Sequence, residues 1–470
     1  MLLGLILRLS LPGTDSRLHP DEALFAAQAR HLSETGDVLL RRADLDKPPL
    51  TLYVTALSFR VMGVSEFAAR VPNALFASLT VAVIYQLAQT LYRSPLVSLL
   101  AALLCACSPY LLAFAPTVFT DVQATWWIAL ATWLAARGRW GRAGLSAALG
   151  IAAKTTAAWG IPLIVVLGVL NTTQSRDTWR DAGKHLLRFA GVLTLGVALL
   201  VLWDLARWPY SFLRLDYEHN HPDRLIRSDE LWPRLEAWGR WLGHLAGTPT
   251  LSMALAVLLT LWLVRQLRRL RRRDAALDWA IAAYGLAVLG GLWLIAFNTY
   301  DRYLYLLAPF ALMLCGRALA GMLAVLPGQW LRLAVVIGLL ATLCYSSLPA
   351  LRGELPVGGD RTAYEGIDTL AAYLNTDLSG AIVYDHWLGW QLAYYLGERP
   401  AVTLRYMPQP EALADEMADC GCQRYLAAPT SAQLRPWLAA LRRAGVNMQQ
   451  VFVSPGGHFA VYGLDAPHHD

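Results

Sequence analysis

The chain has 470 residues, 56% of them hydrophobic and only 16% charged, with a formal net charge of +6. Soluble domains carry about 25% charged residues, so an ordinary soluble protein is excluded, as are a disordered chain, a collagen and a disulfide scaffold. The apolar residues fall in long stretches near the roughly 20 residues that a helix needs to cross a bilayer, which makes the chain a polytopic membrane protein.

An apolar stub, residues 1–12, comes first. It is too short for a full span or a cleavable signal, so the natural start is expected upstream or the first helix trimmed. In the acidic stretch 13–66, His19-Pro20-Asp21-Glu22 heads an amphipathic helix and Lys47 precedes a Pro-Pro pair. The apolar piece 49–63 is read as a helix along the membrane surface, because a crossing there would invert every later basic cluster. Apolar runs then cover 67–92, 96–115, 120–137, 142–171, 187–206, 248–266, 277–297, 303–323 and 330–349.

Basic residues between these runs set the orientation. Arg137/Arg139/Arg142, Arg176/Arg180/Lys184/Arg188 and Arg265/Arg268/Arg269/Arg271/Arg272/Arg273 belong on the cytoplasmic side. The stretch 13–66, the turn at Asp121, the loop 207–247 and everything after 350 are then outside. Run 142–171 has basic residues at both ends and must return. It is predicted as two helices of about 15 residues, about 22 Å each, with Lys154 near their outer tip. With the stub, the expectation is about eleven spans, the N-terminus inside and the C-terminus outside. Residues 1–349 are read as a transmembrane domain and 350–470 as an extracytoplasmic one.

In that last part the β-type runs "SGAIVYD", "PAVTLRY", "CQRYLAAP" and "VNMQQVFVSP" alternate with segments of helical spacing, which predicts an α/β domain. Pro455-Gly456-Gly457 reads as a hairpin turn, and no phosphate-binding glycine loop is present. Cys105, Cys107, Cys315 and Cys344 lie in apolar runs and Cys420 and Cys422 near the end, without metal-ligand spacing, and are read as unpaired structural thiols.

The basic excess marks topology and not a nucleic-acid partner. Of 40 basic residues only Lys47, Lys154 and Lys184 are lysine. A coding bias explains the arginine excess but not where the lysines sit. Adjacent carboxylates at a helix start, such as Asp21 and Glu22, have two readings: they complement the helix dipole for about 0.3–1 kcal/mol each, or they serve chemistry.

Taken in order, "HPDEALFAAQAR", "KPPL", "SEFAARVPNALF", "FTDVQATWW", "GIAAKTTAAWGIPL" and "YDRYLYLLAPF" resemble the motifs of the protein-mannosyltransferase and lipid A aminoarabinose-transferase superfamily. These are membrane glycosyltransferases of the GT-C fold, and the likeness runs from residue 19 to about 310. It implies transfer of a sugar from a polyprenyl-phosphate carrier to a lipid, glycan or protein acceptor, at the outer face of a bacterial cytoplasmic membrane. The first-loop acidic pair would be at the centre of the site.

A sugar on a lipid phosphate already has a good leaving group. One carboxylate to deprotonate or orient the acceptor and cations to neutralise the departing phosphate are what the reaction needs. Asp21 is the candidate base, with Glu22 and Asp121 positioning groups or holding a divalent cation. Lys47, Lys154 and Arg302 are the candidates for the phosphate. Each has a plainer reading: Arg302 as an interfacial anchor with Tyr300 and Tyr303, Lys154 as a snorkelling side chain, Asp121 as a polar boundary residue. Aminoarabinose transferases commonly have Arg two residues after the acidic pair, where this chain has Leu24, which argues against a strict lipid A aminoarabinose transferase. The α/β reading of 350–470 differs from the β-trefoil of eukaryotic protein mannosyltransferases.

The loop 207–247 contains Asp216, Glu218, His219, His221 and Asp223. His219 and His221, with Asp21 and Glu22, are the candidate metal ligands, although the spacing fits no zinc pattern and a solvated polar loop rich in His is the commoner outcome, with a flap over the acceptor site as a secondary reading. Two other classes compete with the enzyme. A transporter or flippase of lipid-linked glycans would show internal repeats and mid-membrane charges, and neither is seen. A non-catalytic glycolipid-binding member is opposed by the intact acidic pair and Lys47.

Overall fold

The computed structural model describes residues 2–9, 16–41, 43, 45–172, 179–222, 224–359, 363–418 and 423–465. In chain order the first helices are α1 Leu2–Leu9, α2 Pro20–Thr35, α3 Leu50–Met62, α4 Glu66–Tyr92, α5 Pro95–Cys107, α6 Pro109–Phe114, α7 Thr120–Ala136 and α8 Trp140–Ala153. They continue with α9 Ile161–Thr172, α10 Trp179–Leu205, α11 Phe212–Asn220, α12 Leu231–Leu242, α13 Pro249–Leu267, α14 Arg273–Leu294, α15 Ala308–Val325 and α16 Gln329–Arg352. Hydroxyl caps followed by proline set several starts: Ser94, Ser108 and Thr248 accept the amides of Val97, Leu111 and Leu251 in front of Pro95, Pro109 and Pro249.

Among the described residues seven helical segments are long and apolar enough to cross a membrane, namely Glu66–Tyr92, Thr155–Thr172, Asp181–Leu205, Pro249–Leu267, Arg273–Leu294, Ala308–Val325 and Gln329–Arg352. The chain is therefore a multi-pass membrane protein. Run 96–115 is not one helix: the Ser108-Pro109 cap restarts it, because proline lacks the amide that would continue α5. Run 142–171 breaks at Lys154, whose extended backbone (φ −157°, ψ 130°) ends α8 before a 3-10 turn, Thr155–Gly160, leads into α9. The segment 207–247 is largely helical, made of α11 and α12.

The chain divides into two compact units. The first comprises Met1–Gly13, Val38–Ser58 and Arg70–Gly358, the second Thr14–Asp37, Phe59–Ala69 and Gly359–Asp470. The division falls a few residues beyond position 350, and the second unit also takes in α2. In the first unit α7 packs on α8 and α9, α8 on α10, and α5 on α15. Small residues permit the closest approaches. A Cβ at Gly144 of α8 would fall 2.5 Å from the Phe189 carbonyl oxygen of α10, and one at Gly316 of α15 would fall 2.7 Å from the Ala101 nitrogen of α5.

The second unit is built on β1 Ile382–Asp385, β2 Thr403–Tyr406, β3 Arg424–Pro429, β4 Asn447–Val453 and β5 Phe459–Asp465, with helices α17 Ile367–Asp377, α18 Gly389–Leu396, α19 Pro410–Ala418 and α20 Arg435–Arg443. Sheet order is β2-β1-β3-β5-β4. The pairs β1–β2 and β1–β3 are parallel, while β3–β5 and β4–β5 are antiparallel, with Pro455–Gly457 at the β4–β5 turn. Alternation along the strands supplies two cores. Val383, Ala427 and Val461 face Leu370, Leu374 and Leu392 of α17 and α18, and Tyr384, Leu426 and Leu464 face Leu413, Met417 and Leu441 of α19 and α20.

Candidate active site

In the first unit, Asp121 stands in the first turn of α7, and α4 fixes the approach to it. Asn73 of α4 donates to the carbonyls of Thr117 (2.7 Å) and Phe119 (2.8 Å), and Gln123 donates to Asn73 Oδ1 at 3.0 Å. Lys154 sits at the α8 break, and its Nζ lies 2.6 Å from Asp121 Oδ1. Both side chains are buried, at 6% and 9% exposure. Lys154 Nζ is also 5.2 Å from the centroid of the Tyr303 ring.

Next along the chain, Thr155 Oγ1 donates to Asp216 Oδ2 of α11 at 2.9 Å. The other oxygen of Asp216 faces Lys47 Nζ at 3.4 Å, and Lys47 Nζ also bonds Asp46 Oδ2 at 2.7 Å. Asn220 donates to both Asp216 Oδ1 (2.9 Å) and Asp46 Oδ2 (3.4 Å), closing a ring of polar groups around the lysine. A buried arginine holds this loop in place: Arg207 Nη2 donates to the carbonyls of Leu40 and Ala43. Asp204, in turn, accepts the Phe212 amide at the start of α11.

Arg302 belongs to the turn before α15. Its guanidinium lies over the rings of Tyr300 (4.4 Å) and Phe119 (4.9 Å). Neighbouring Asp301 accepts the amides of Arg302 (2.8 Å) and Gly358 (2.9 Å), and its backbone carbonyl accepts the Tyr110 hydroxyl at 2.6 Å. Burial pushes the Asp301 carboxyl above its ordinary range, and those two amides pull it partly back. Both Arg302 and Lys47 lie within electrostatic reach of Lys154. Three basic groups, distant in sequence, are thus gathered with Asp121 at the ends of apolar helices.

Asp21 and Glu22 belong to the second unit. There His19 caps α2, its Nδ1 accepting the Asp21 amide at 3.1 Å, while Glu22 Oε2 accepts the His19 amide at 3.1 Å. Glu22 is 1% exposed and closes a capping box. The segment before α2 is pinned by its own unit: Gln391 donates to the Leu18 carbonyl (3.0 Å), the Tyr395 hydroxyl accepts the Leu18 amide (3.0 Å), and Arg17 pairs with Glu66 and Asp368.

Among the described residues no three of His, Cys, Asp and Glu stand together as a metal-ligand set. Glu22 is taken up by its cap, Asp46 and Asp216 face Lys47, the His221 ring packs on Tyr217 at 4.5 Å, and Asp223 lies outside the described residues. Cys105, Cys107, Cys315 and Cys344 are free thiols, and Cys420 and Cys422 lie outside the described residues.

Residues 46–206 match the family model of the dolichyl-phosphate-mannose-protein mannosyltransferases. Sequence relatives include undecaprenyl phosphate-alpha-4-amino-4-deoxy-L-arabinose arabinosyl transferases. The one from Pseudomonas aeruginosa (strain LESB58) is 28% identical over 228 residues, 45% of this chain and 40% of the relative. That of Pseudomonas fluorescens (strain Pf0-1) is 26% identical over 250 residues, 49% of this chain and 44% of the relative. The chain thus spans less than half the length of these relatives. Among solved structures, ArnT from Cupriavidus metallidurans bound to undecaprenyl phosphate superposes with a TM-score of 0.66 at 15% identity, covering 98% of this chain and 96% of that one. The Archaeoglobus fulgidus oligosaccharyltransferase gives 0.56 at 11% identity, over 100% of this chain and 74% of that one. At such identities the likeness is one of fold.

Proposed function

We propose that the chain is a member of the GT-C superfamily of protein mannosyltransferases and aminoarabinose transferases, and that it moves a sugar from a polyprenyl-phosphate carrier to an acceptor at the outer face of the cytoplasmic membrane. The observation that carries this reading is the gathering of Lys47, Lys154 and Arg302 at the ends of apolar helices, around the buried Lys154–Asp121 pair. A lipid phosphate needs this combination of cations at headgroup depth beside apolar surface for its tail. Relatives named for an undecaprenyl-phosphate sugar, and a neighbour of the same fold solved with undecaprenyl phosphate, support that donor class.

In this reading the anomeric carbon–oxygen bond to the phosphate breaks as the acceptor oxygen or nitrogen attacks. Charge grows on the leaving phosphate and is met by Lys47, Lys154 and Arg302. Asp121 holds Lys154 extended, and Asp216 with Thr155 holds Lys47 beside it. Asp21 takes the acceptor proton, an assignment resting on the motif it shares with the family, and Glu22 positions it through the cap. Within this cluster Asp121 faces Lys154, and Asp46 and Asp216 face Lys47. The Arg clusters favour an N-terminus inside, with α2 and the α/β unit outside. Acceptors of lipid, glycan or protein type all fit this chemistry. The test is transfer by Asp21→Asn in membranes supplied with a polyprenyl-phosphate sugar: loss is expected, and undiminished transfer removes Asp21 from this role.

A further inference from the structure

At the opposite end of α8 from Lys154, about 20 Å away for a helix of this length, lies a cavity of about 480 Å³. It is lined by Gly138, Arg139, Trp140, Gly141, Arg142, His185 and Arg188. Three arginines and a histidine face it, and among the described residues no acidic one lines it. Those arginines make no ion pair among the described residues, whereas nearby Lys184 is paired with Asp181 at 3.1 Å.

Two further features point to an anion. Helix α8 starts here, and the Arg139 side chain gives it no cap. Its first internal bond is Ala143 N to Arg139 O, so the amides of Trp140, Gly141 and Arg142 precede the hydrogen-bonded ladder, at the positive end of the helix dipole. Trp140 is 2% exposed, stacks on His185 (6.0 Å between centroids), and its indole N–H has no acceptor among the described residues. A buried donor of this kind costs free energy until something accepts from it. His185 and Arg188 lie in the first turns of the candidate span Asp181–Leu205, the end of a span being where lipid headgroups are met.

We propose that this cavity binds the phosphodiester headgroup of an anionic membrane phospholipid. The phosphate oxygens face the arginines and the α8 amides, and the acyl chains run along the apolar exposed side of α10, where Leu187, Leu195 and Leu199 lie open. Topology alone does not account for it, since a positive-inside signal requires only exposed arginines, without a concave site or a buried unsatisfied donor.

The full chain in phosphatidylcholine nanodiscs, with and without phosphatidylglycerol, tests this by hydrogen–deuterium exchange. Phosphatidylglycerol is expected to slow exchange over 138–145 and 185–190, and inorganic phosphate added to pure phosphatidylcholine discs is not. Native mass spectrometry should show retained phosphatidylglycerol falling about tenfold in Arg139→Gln/Arg142→Gln/Arg188→Gln, and unchanged in the control Arg268→Gln/Arg269→Gln/Arg271→Gln. The wild-type exchange arms stand alone if the triple variant fails to fold. Absence of protection by phosphatidylglycerol, protection by free phosphate alone, or equal loss in the control variant overturns the assignment.

Discussion

Lys154 Nζ and Asp121 Oδ1 are 2.6 Å apart, with neither side chain more than a tenth exposed. A pair this buried offers little net stability, but removing one partner strands the other charge and costs about 3–5 kcal/mol. Asp121→Asn is therefore expected to lower the melting temperature of the detergent-solubilised protein, as is Lys154→Met. The double variant should recover much of the loss without recovering transfer. Additive destabilisation in the thermal-melting cycle would show that the two groups do not share one interaction.

Lys47 is held by Asp216 and Asp46, and Asp216 in turn by Thr155. Asp216→Asn frees Lys47 from one charged partner while preserving the size of the side chain. The expected result in steady-state kinetics with varied lipid donor is a KM raised about tenfold, with kcat less affected. Thr155→Val should act in the same direction and more weakly, since it removes one hydrogen bond worth about 1 kcal/mol.

Glu22 and its neighbour separate cleanly by substitution. Gln at 22 keeps an oxygen for the His19 amide, whereas Ala does not, so Glu22→Ala is expected to cost about 1 kcal/mol of stability and Glu22→Gln to retain both fold and transfer. Asp21→Asn should leave stability unchanged and reduce transfer at least about 100-fold, the scale of a general base. Loss of transfer in Glu22→Gln with normal melting would place Glu22 in the chemistry itself.

The second unit carries its own pH signature. Burial pushes the Asp385 carboxyl from its ordinary 3.8 up to about 6, although the Leu388 and Trp387 amides donate to Oδ1. A carboxyl raised in the folded state binds its proton more tightly there than when unfolded. Its contribution is present at low pH and is lost as pH rises from about 4 to about 6, by up to about 3 kcal/mol. Asp385→Asn keeps an acceptor for both amides and carries no charge. Melting curves at several pH values should find it more stable than the wild type near neutrality and no better near pH 4. A variant that melts lower at neutral pH would contradict this.

How much of this was legible in the sequence depended on range. Lys154 could be placed at a helical tip because basic residues flank its run on both sides, a signal contained in about 30 residues. The first four strands of the second unit showed as short β-type runs between turn signals. Strand β5, "FAVYGLD", was missed because it follows directly on Pro455-Gly456-Gly457 and shows no clean alternation; its burial is nearly continuous, as suits a strand between two layers of helices. The partners of the key side chains were out of reach. Asp216 is 169 positions from Lys47, Gln391 is 373 from Leu18, and Asn73 is 44 from Thr117. Asn73, Asp204 and Arg207 read only as polar residues in or beside apolar runs, and a polar residue buried in such a run was the one available hint. The break at Ser108 is carried by a cap-and-proline pair inside a run, 96–115, whose hydrophobicity is continuous and reads as one helix.

The central claim is that Lys47, Lys154 and Arg302 hold a lipid phosphate. It is tested most directly by the binding of a polyprenyl phosphate, without sugar or acceptor, to the purified wild-type protein and to Lys154→Gln and Arg302→Gln, measured by native mass spectrometry or calorimetry in detergent. Each substitution is expected to weaken binding at least about tenfold, with melting of Arg302→Gln unchanged. Equal binding by the wild type and both variants would contradict the account.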